Sequence, residues 1–328
     1  MKALNKSPKS LARRRFIVMA GAAGIIPFLG GVGEASNTLR PVKWQGSALG
    51  AEASIQLYHK DRVWAQKNLL RCQNEIARLE NLFSLYRPQS EISKLNNQGS
   101  LVNPSIEFLT LLSDAMAFSK NSGGIFDVTV QPLWQLYATH FASPTADPEG
   151  PSQSEIDRIL DLVGSDNIIL DTNRISFKKA GMGVTLNGVA QGFITDRITD
   201  ILKSAGFENV MVSLGENFAL GSKPDGDDWR AGIISPVDGK SIAKTVTLKN
   251  KALATSGGYG SPFASNSVAN HLLNPKTGKT AAFKSSVSVI ADTATTADMV
   301  STALCLMPKS AGENLVREMS EVDQVLYI

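Results

Sequence analysis

Two short stretches carry the residues best equipped for chemistry. Asp292 to Thr302 reads Asp-Thr-Ala-Thr-Thr-Ala-Asp-Met-Val-Ser-Thr and is dense in oxygen donors. With a helix starting near Thr295, Asp298 and Thr302 stand four apart on one face. A carboxylate and a hydroxyl one turn apart suit a hard cation such as Mg2+, which takes oxygen ligands and keeps several waters. The same residues serve an ordinary helix start equally well, with Thr295 or Thr296 as cap and Asp298 near the positive end of the helix. Thr185 to Asp196 reads Thr-Leu-Asn-Gly-Val-Ala-Gln-Gly-Phe-Ile-Thr-Asp. Asn187 is placed to cap a helix in which Val189, Phe193 and Ile194 share a face. A turn at Gly188 feeding a helix N-terminus is a seat for a phosphate. It is equally a point where Gly188 and Gly192 let another backbone come close.

Other residues offer single roles. His271 is one of only three histidines, with His59 and His140, and precedes the turn Asn274-Pro275-Lys276-Thr277-Gly278. It can act as a general base, orient a ligand, or be structural. Ile125-Phe126-Asp127 sets an apolar pair and a carboxylate after two glycines, able to hold a ligand N–H or to cap a turn. Thr255-Ser256-Gly257-Gly258-Tyr259-Gly260 is a hydroxyl-rich loop. Tyr86 can stack on a ring or fill a core. Serine-protease order, H-E-x-x-H and P-loop motifs are missing.

These residues need a frame. Apolar spacing predicts helices over Val63–Phe83, Ser90–Asn96, Ser105–Asn121, Glu155–Val163, Thr185 to about Ala205, Thr295–Leu306 and Ser310–Met319. Trp44–Tyr58 reads as one strand with a bend at Ala48–Ala51. Further short strands fall at 167–170 and 174–177, at six places between Val210 and Ile290, and at Gln324–Tyr327. Residues 139–154 read as loop. Long helices on a largely antiparallel sheet predict an α+β fold.

The 328 residues, 43% hydrophobic and 19% charged, suit one large domain with ample core. The formal charge of +3 is local, because residues 1–35 hold six basic side chains and one acid. Without them the chain carries about −2, which gives no support to nucleic-acid binding. Arg13-Arg14-Arg15-Phe16-Ile17, an apolar run to Val32 and small residues at Gly33 and Ala35 read as a twin-arginine signal ending at residue 35, with residues 36–328 as the mature, periplasmic domain. The run is short and broken by Pro27, which argues against a membrane anchor. Cys72 and Cys305 read as buried free thiols.

The order of the motifs resembles the ApbE family over residues 44–328. The resemblance rests on Phe83-Ser84-x-Tyr86-Arg87 with Ser90-Glu91-Ile92-Ser93-x-Leu95-Asn96, then Gly124-x-Phe126-Asp127-x-Thr129-Val130-x-Pro132-Leu133, then Gly188-Val189-Ala190-x-Gly192. Ser213-Leu214-Gly215, Thr255-Ser256-Gly257, His271-Leu272-Leu273-Asn274-Pro275-x-Thr277-Gly278 and Ala297-Asp298-x-x-x-Thr302-Ala303-Leu304 complete it. The resemblance implies a T-fold-like α+β architecture and an FAD:protein FMN transferase. Such an enzyme uses Mg2+ to move FMN from FAD to a threonine or serine hydroxyl of a client protein, with AMP leaving. It implies metal ligation by Asp298, Thr302, Thr295 and the Gly188 carbonyl, and FAD contacts from Leu49, Tyr86, Ile125, Phe126, Asp127, Thr185 and Gln191. His271 would deprotonate the acceptor. The exported form also resembles the family's accessory member of nitrous-oxide respiration, which implies a membrane electron-transfer flavoprotein as client. Departures stand at Thr185-Leu186-Asn187, where the family commonly has Asp-Leu-Gly; at Gln191, often Lys or Glu; and at Leu49-Gly50-Ala51, commonly Met-Gly-Thr. These keep two rivals open, FAD hydrolysis to FMN and AMP and a non-catalytic flavin carrier.

Overall fold

The computed structural model describes residues 23–25, 39–265 and 267–328. Apart from Ala23–Ile25, the export-signal segment therefore lies outside the described residues. The helices are α1 (Arg62–Phe83), α2 (Glu91–Gln98), α3 (Ile106–Asn121), α4 (Gln131–His140), α5 (Gln153–Leu160), α6 (Ala190–Ser204), α7 (Ala294–Leu304) and α8 (Lys309–Arg317). The strands in the first half are β1 (Ala23–Ile25), β2 (Val42–Ala48), β3 (Ala51–Leu57), β4 (Ser100–Val102), β5 (Ile168–Asp171) and β6 (Arg174–Phe177). Those in the second half are β7 (Val210–Ser213), β8 (Asn217–Leu220), β9 (Trp229–Ile234), β10 (Ile242–Leu248), β11 (Lys251–Gly257), β12 (Ser286–Ala291) and β13 (Val322–Tyr327).

Seven strands form the central sheet in the order β13-β12-β11-β8-β7-β3-β2, and every described pairing is antiparallel. One face carries the helices. Leu69, Cys72, Ile76, Leu79 and Phe83 of α1 are buried at the helical spacing the sequence shows, in one core with Ile194 and Ile198 of α6 and Val300 of α7. The other face packs on the smaller sheet β1-β9-β10, with Met211, Ala219, Leu253 and Ile290 meeting Trp229, Ala231, Ile233 and Leu248. Covered on both faces, β12 is buried along its whole length. A third cluster joins Leu133 and Tyr137 of α4 to Ile156 of α5 and Leu273. The fold is α+β, as expected.

Four local readings are corrected. Trp44–Tyr58 is a hairpin rather than one bent strand. Leu49 and Gly50 adopt positive φ (48° and 84°), the two-residue turn that matches strand twist, and β2 then pairs with β3 in full register. Residues 131–140 form α4, whose start exploits Pro132 in the first turn. Asn187 does not cap α6, which starts after Val189 with no side-chain cap. Thr293, two residues before Thr295, caps α7 by accepting from the Thr296 N–H at 3.1 Å.

Candidate active site

Six segments converge on one cavity of about 110 Å³. Its wall includes Ile125, Phe126 and Asp127, Thr185 and Gly188 ahead of α6, Gln191 on α6, Glu216 in the β7–β8 turn, Thr255 and Ser256 on β11, His271, and Asp298 and Thr302 on α7. A wider cavity of about 740 Å³ adjoins it and shares Trp134 and Asn187; Tyr86, Asn96, Gln131 and Met182 help line it. The sequence-derived residues therefore divide. Ile125, Phe126, Asp127, Thr185, Gly188, Gln191, His271, Asp298 and Thr302 share the first cavity, and Tyr86 faces the second. Leu49 lines neither; its N–H donates to Glu80 Oε1 at 2.9 Å in the hairpin turn. Thr295 lines neither, and its hydroxyl donates to Asp196 at 2.6 Å.

The walls are held by local hydrogen bonding. Asn96 grips the segment before α6 from both sides, accepting from the Val184 N–H at 2.7 Å and donating to its carbonyl at 2.8 Å. The Thr185 N–H donates to the Val128 carbonyl at 2.7 Å, which joins that segment to Phe126–Val128. Asp127 is spent on structure: it accepts from the Thr129 N–H at 2.8 Å, the Ser165 N–H at 2.9 Å and the Ser119 hydroxyl at 3.3 Å. Its turn-capping reading therefore describes its observed bonds.

The electrostatics are one-sided. Asp298 is buried, and the Gly192 N–H donates to its Oδ2 at 3.1 Å. Burial pushes its carboxyl up to about 7, partly offset by that bond, and Asp196 nearby adds to the rise. Glu216, which the sequence reading missed, is buried beside it and accepts from the Thr255 N–H at 3.3 Å. Burial, then the Asp298 charge, hold its carboxyl well above the usual range. Both shifts point the same way: negative charge here lacks a counter-charge, since among the described residues no Lys or Arg lines either cavity. Only the Ser213-Leu214-Gly215 motif, directly before Glu216, marked that turn in the sequence.

Hydroxyls complete the wall. Ser256 Oγ lies 3.2 Å from Thr302 Oγ1 and 2.8 Å from Ser301 Oγ. A Cβ on Gly188 would stand 3.1 Å from Thr302 Oγ1, so the backbone at 188 and the Thr302 hydroxyl are immediate neighbours. Gln191 folds over Gly215, and its Nε2 is buried with no partner among the described residues. His271 is half-buried, with Nδ1 enclosed and unpaired. Burial lowers its pKa to about 4, so the ring is neutral at ordinary pH.

A cavity walled by buried carboxylates, hydroxyls and a neutral histidine, at the junction of a helical layer and an antiparallel sheet, defines an oxygen-rich transfer or hydrolysis site. The comparisons agree with that architecture. The model of the ApbE family matches residues 49–326, and the chain belongs to this family. A FAD:protein FMN transferase of Vibrio cholerae is 32% identical over 209 residues, covering 62% of each chain. One of Buchnera aphidicola is 27% identical over 277 residues, covering 82% of this chain and 80% of that one. Among solved structures, the flavin transferase ApbE from Vibrio cholerae superposes with a TM-score of 0.74 at 26% identity, over 88% of this chain and 94% of the other. The ApbE protein from Thermotoga maritima gives 0.73 at 28% identity.

Proposed function

We propose that this protein is an exported FAD:protein FMN transferase that uses Mg2+ to attach FMN to a threonine or serine hydroxyl of a client flavoprotein. One observation carries the reading: the cavity gathers Asp298, Glu216 and Asp127 and, among the described residues, no Lys or Arg. A substrate diphosphate entering there meets repulsion unless a cation comes with it. Among the described residues, no three His, Cys, Asp or Glu side chains gather closely enough to cage a metal alone. That suits Mg2+, which dehydrates reluctantly and is commonly held by one or two carboxylates plus substrate phosphates. Asp298, Thr302 and the Gly188 carbonyl would supply the protein's share. When bound, the cation would neutralise charge developing on the transferred phosphoryl group.

The chain's own residues account for the rest. The two joined cavities match an elongated dinucleotide, with the smaller one, at Asp298 and Thr302, for the diphosphate and the wider one, under Tyr86, for a ring. Neutral His271 accepts the acceptor hydroxyl's proton as its oxygen bonds to the phosphorus of the FMN half. The bond from that phosphorus to the bridging oxygen breaks, and AMP leaves with the bridging oxygen. The twin-arginine segment supports a periplasmic location, where a membrane electron-transfer subunit is a fitting client. The names of the relatives support the FAD and FMN parts of this reading.

The test incubates the protein with FAD, Mg2+ and a client domain, alongside the same domain with its acceptor threonine replaced by valine. Covalent flavin fluorescence on the first domain alone, with one AMP released per label, is expected. AMP without label points to hydrolysis, and bound FAD without AMP overturns the enzymatic reading.

A further inference from the structure

Asp196 sits one turn beyond Gly192 on α6 and belongs to no role so far described. Its Oδ1 accepts from the Ala294 N–H at 2.7 Å; its Oδ2 accepts from the Thr295 N–H at 2.8 Å and the Thr295 hydroxyl at 2.6 Å. These are the first two residues of α7. A helix start leaves its first N–H groups without intrahelical partners, and a carboxylate there also complements the helix dipole. Here that carboxylate comes from another helix, 98 residues earlier in the chain. Desolvation raises the Asp196 carboxyl, and the three hydrogen bonds it accepts oppose the rise.

The contact has a register. Residues 188, 192 and 196 are spaced by four and meet residues 302, 298 and 294, also spaced by four, running the opposite way. Gly188 lies against Thr302, Gly192 gives its N–H to Asp298, and Asp196 receives that of Ala294. Ala294, Asp298 and Thr302 thus form one stripe of α7, of which Asp196 holds the first member and Gly192 the second. Turning α7 about its axis would break the Asp196 bonds and displace Asp298 together.

We infer that Asp196 is a positioning residue: by pinning the start of α7 to α6, it fixes Asp298 and Thr302 in the orientation that binds a divalent cation. This rests on the metal-dependent reading above. It also gives Thr295 a different part from the direct ligation its resemblance implied, since the hydroxyl proton of Thr295 goes to Asp196. Residues that orient metal ligands through a hydrogen bond commonly change metal affinity by 10- to 100-fold when lost.

Mn2+, titrated into the full-length protein and followed by the EPR signal of the free ion, separates the possibilities. The variants are Asp196→Asn, Asp196→Ala and Thr295→Val, with Leu112→Ala, on α3 rather than on α6 or α7, as a core change that lowers Tm. The expected result is a Kd for Mn2+ raised about tenfold or more in the Asp196 variants and less in Thr295→Val. Half-saturating Mg2+ in the transfer assay rises with it, more than kcat at saturating Mg2+ falls. Leu112→Ala loses Tm and keeps its Mn2+ affinity. Unchanged Mn2+ affinity in both Asp196 variants overturns the inference, as does an equal loss of affinity in Leu112→Ala. A parent protein that takes up no Mn2+ would instead overturn the metal-dependent reading itself.

Discussion

Gly192→Ala is the smallest change that tests how the site is held. A Cβ at this position would lie 2.4 Å from the Ala294 oxygen, 2.7 Å from the Ala294 carbonyl carbon and 2.8 Å from the Thr295 Cα, all backbone atoms that cannot swing aside. Ordinary contact needs about 3.5 Å, so the two helices must part by about 1 Å. That shift stretches the 3.1 Å bond from the Gly192 N–H to Asp298 beyond hydrogen-bonding range. Overpacking costs about 1–3 kcal/mol. The lost bond to a carboxylate costs about 1.5–3 kcal/mol. The gain in helix propensity returns about 1 kcal/mol. A net loss of about 1.5–5 kcal/mol follows, which for a chain of this length lowers Tm by about 2–8 °C. Calorimetry gives the stability, and a Mg2+ titration of transfer gives the half-saturating concentration, which is expected to rise. Gly183→Ala is the comparator. Its Cβ would meet nothing closer than the Gln131 Cγ at 3.4 Å, so its Tm should hold within about 2 °C. A Gly192→Ala protein with parental Tm and parental Mg2+ dependence would refute the reasoning.

Further outcomes concern the titrating groups. His271→Ala is expected to lower kcat by about 10²- to 10⁴-fold. With the parent protein at saturating Mg2+, the acid limb of kcat/KM should fall near pH 4, where the buried ring titrates, so activity that halves near pH 6.5 contradicts the assignment. The same depression means that the unfolded chain takes the His271 proton first, so this residue withdraws stability as pH falls from about 6.5 to 4. Asp298 works the other way. Unfolded it ionises near pH 3.9 and folded near 7, so metal-free stability falls as pH rises through that window. Mg2+ should therefore raise Tm more at pH 8 than at pH 5, and Asp298→Asn should flatten the metal-free slope; a slope that survives the substitution locates the effect elsewhere. Glu216→Gln removes a buried charge, so metal-free Tm should rise while Mg2+ binds more weakly, and a fall in Tm would show the carboxylate to be stabilising.

Helical periodicity was readable because one face of each helix is buried. The spacing of Leu69, Cys72, Ile76 and Leu79 located α1, and Asp298 and Thr302 did share a face of α7. The break at Ala48–Ala51 was visible but read as a bend or bulge within one strand, because a positive φ at Leu49 is unusual and only the pairing of β2 with β3 shows what it serves. α4 was missed, residues 131–138 being given no element and 139–154 read as loop; Pro132 sits in its first turn, where a proline needs no donor. Glu216 stayed hidden for a different reason. A single acid in a turn carries no pattern, and its significance comes from burial beside Asp298, 82 positions later. Thr295 shows the converse: chemistry suited to a ligand that a carboxylate from another helix has already taken up.

The helix-to-helix register also governs when the site comes into being. The hydrogen bonds that align α7 span 98, 99 and 106 residues, among the longer loops this chain closes. Such contacts are favourable only after the entropy of closing the loop has been spent. A chain emerging from synthesis can form α1 and the β2–β3 hairpin from local sequence, but the proposed cation-binding face is incomplete until residue 302 arrives and α7 docks. Nucleotide capture is thereby postponed to the last stage of folding, and a product cut short before α7 would keep much of the sheet while lacking the machinery altogether.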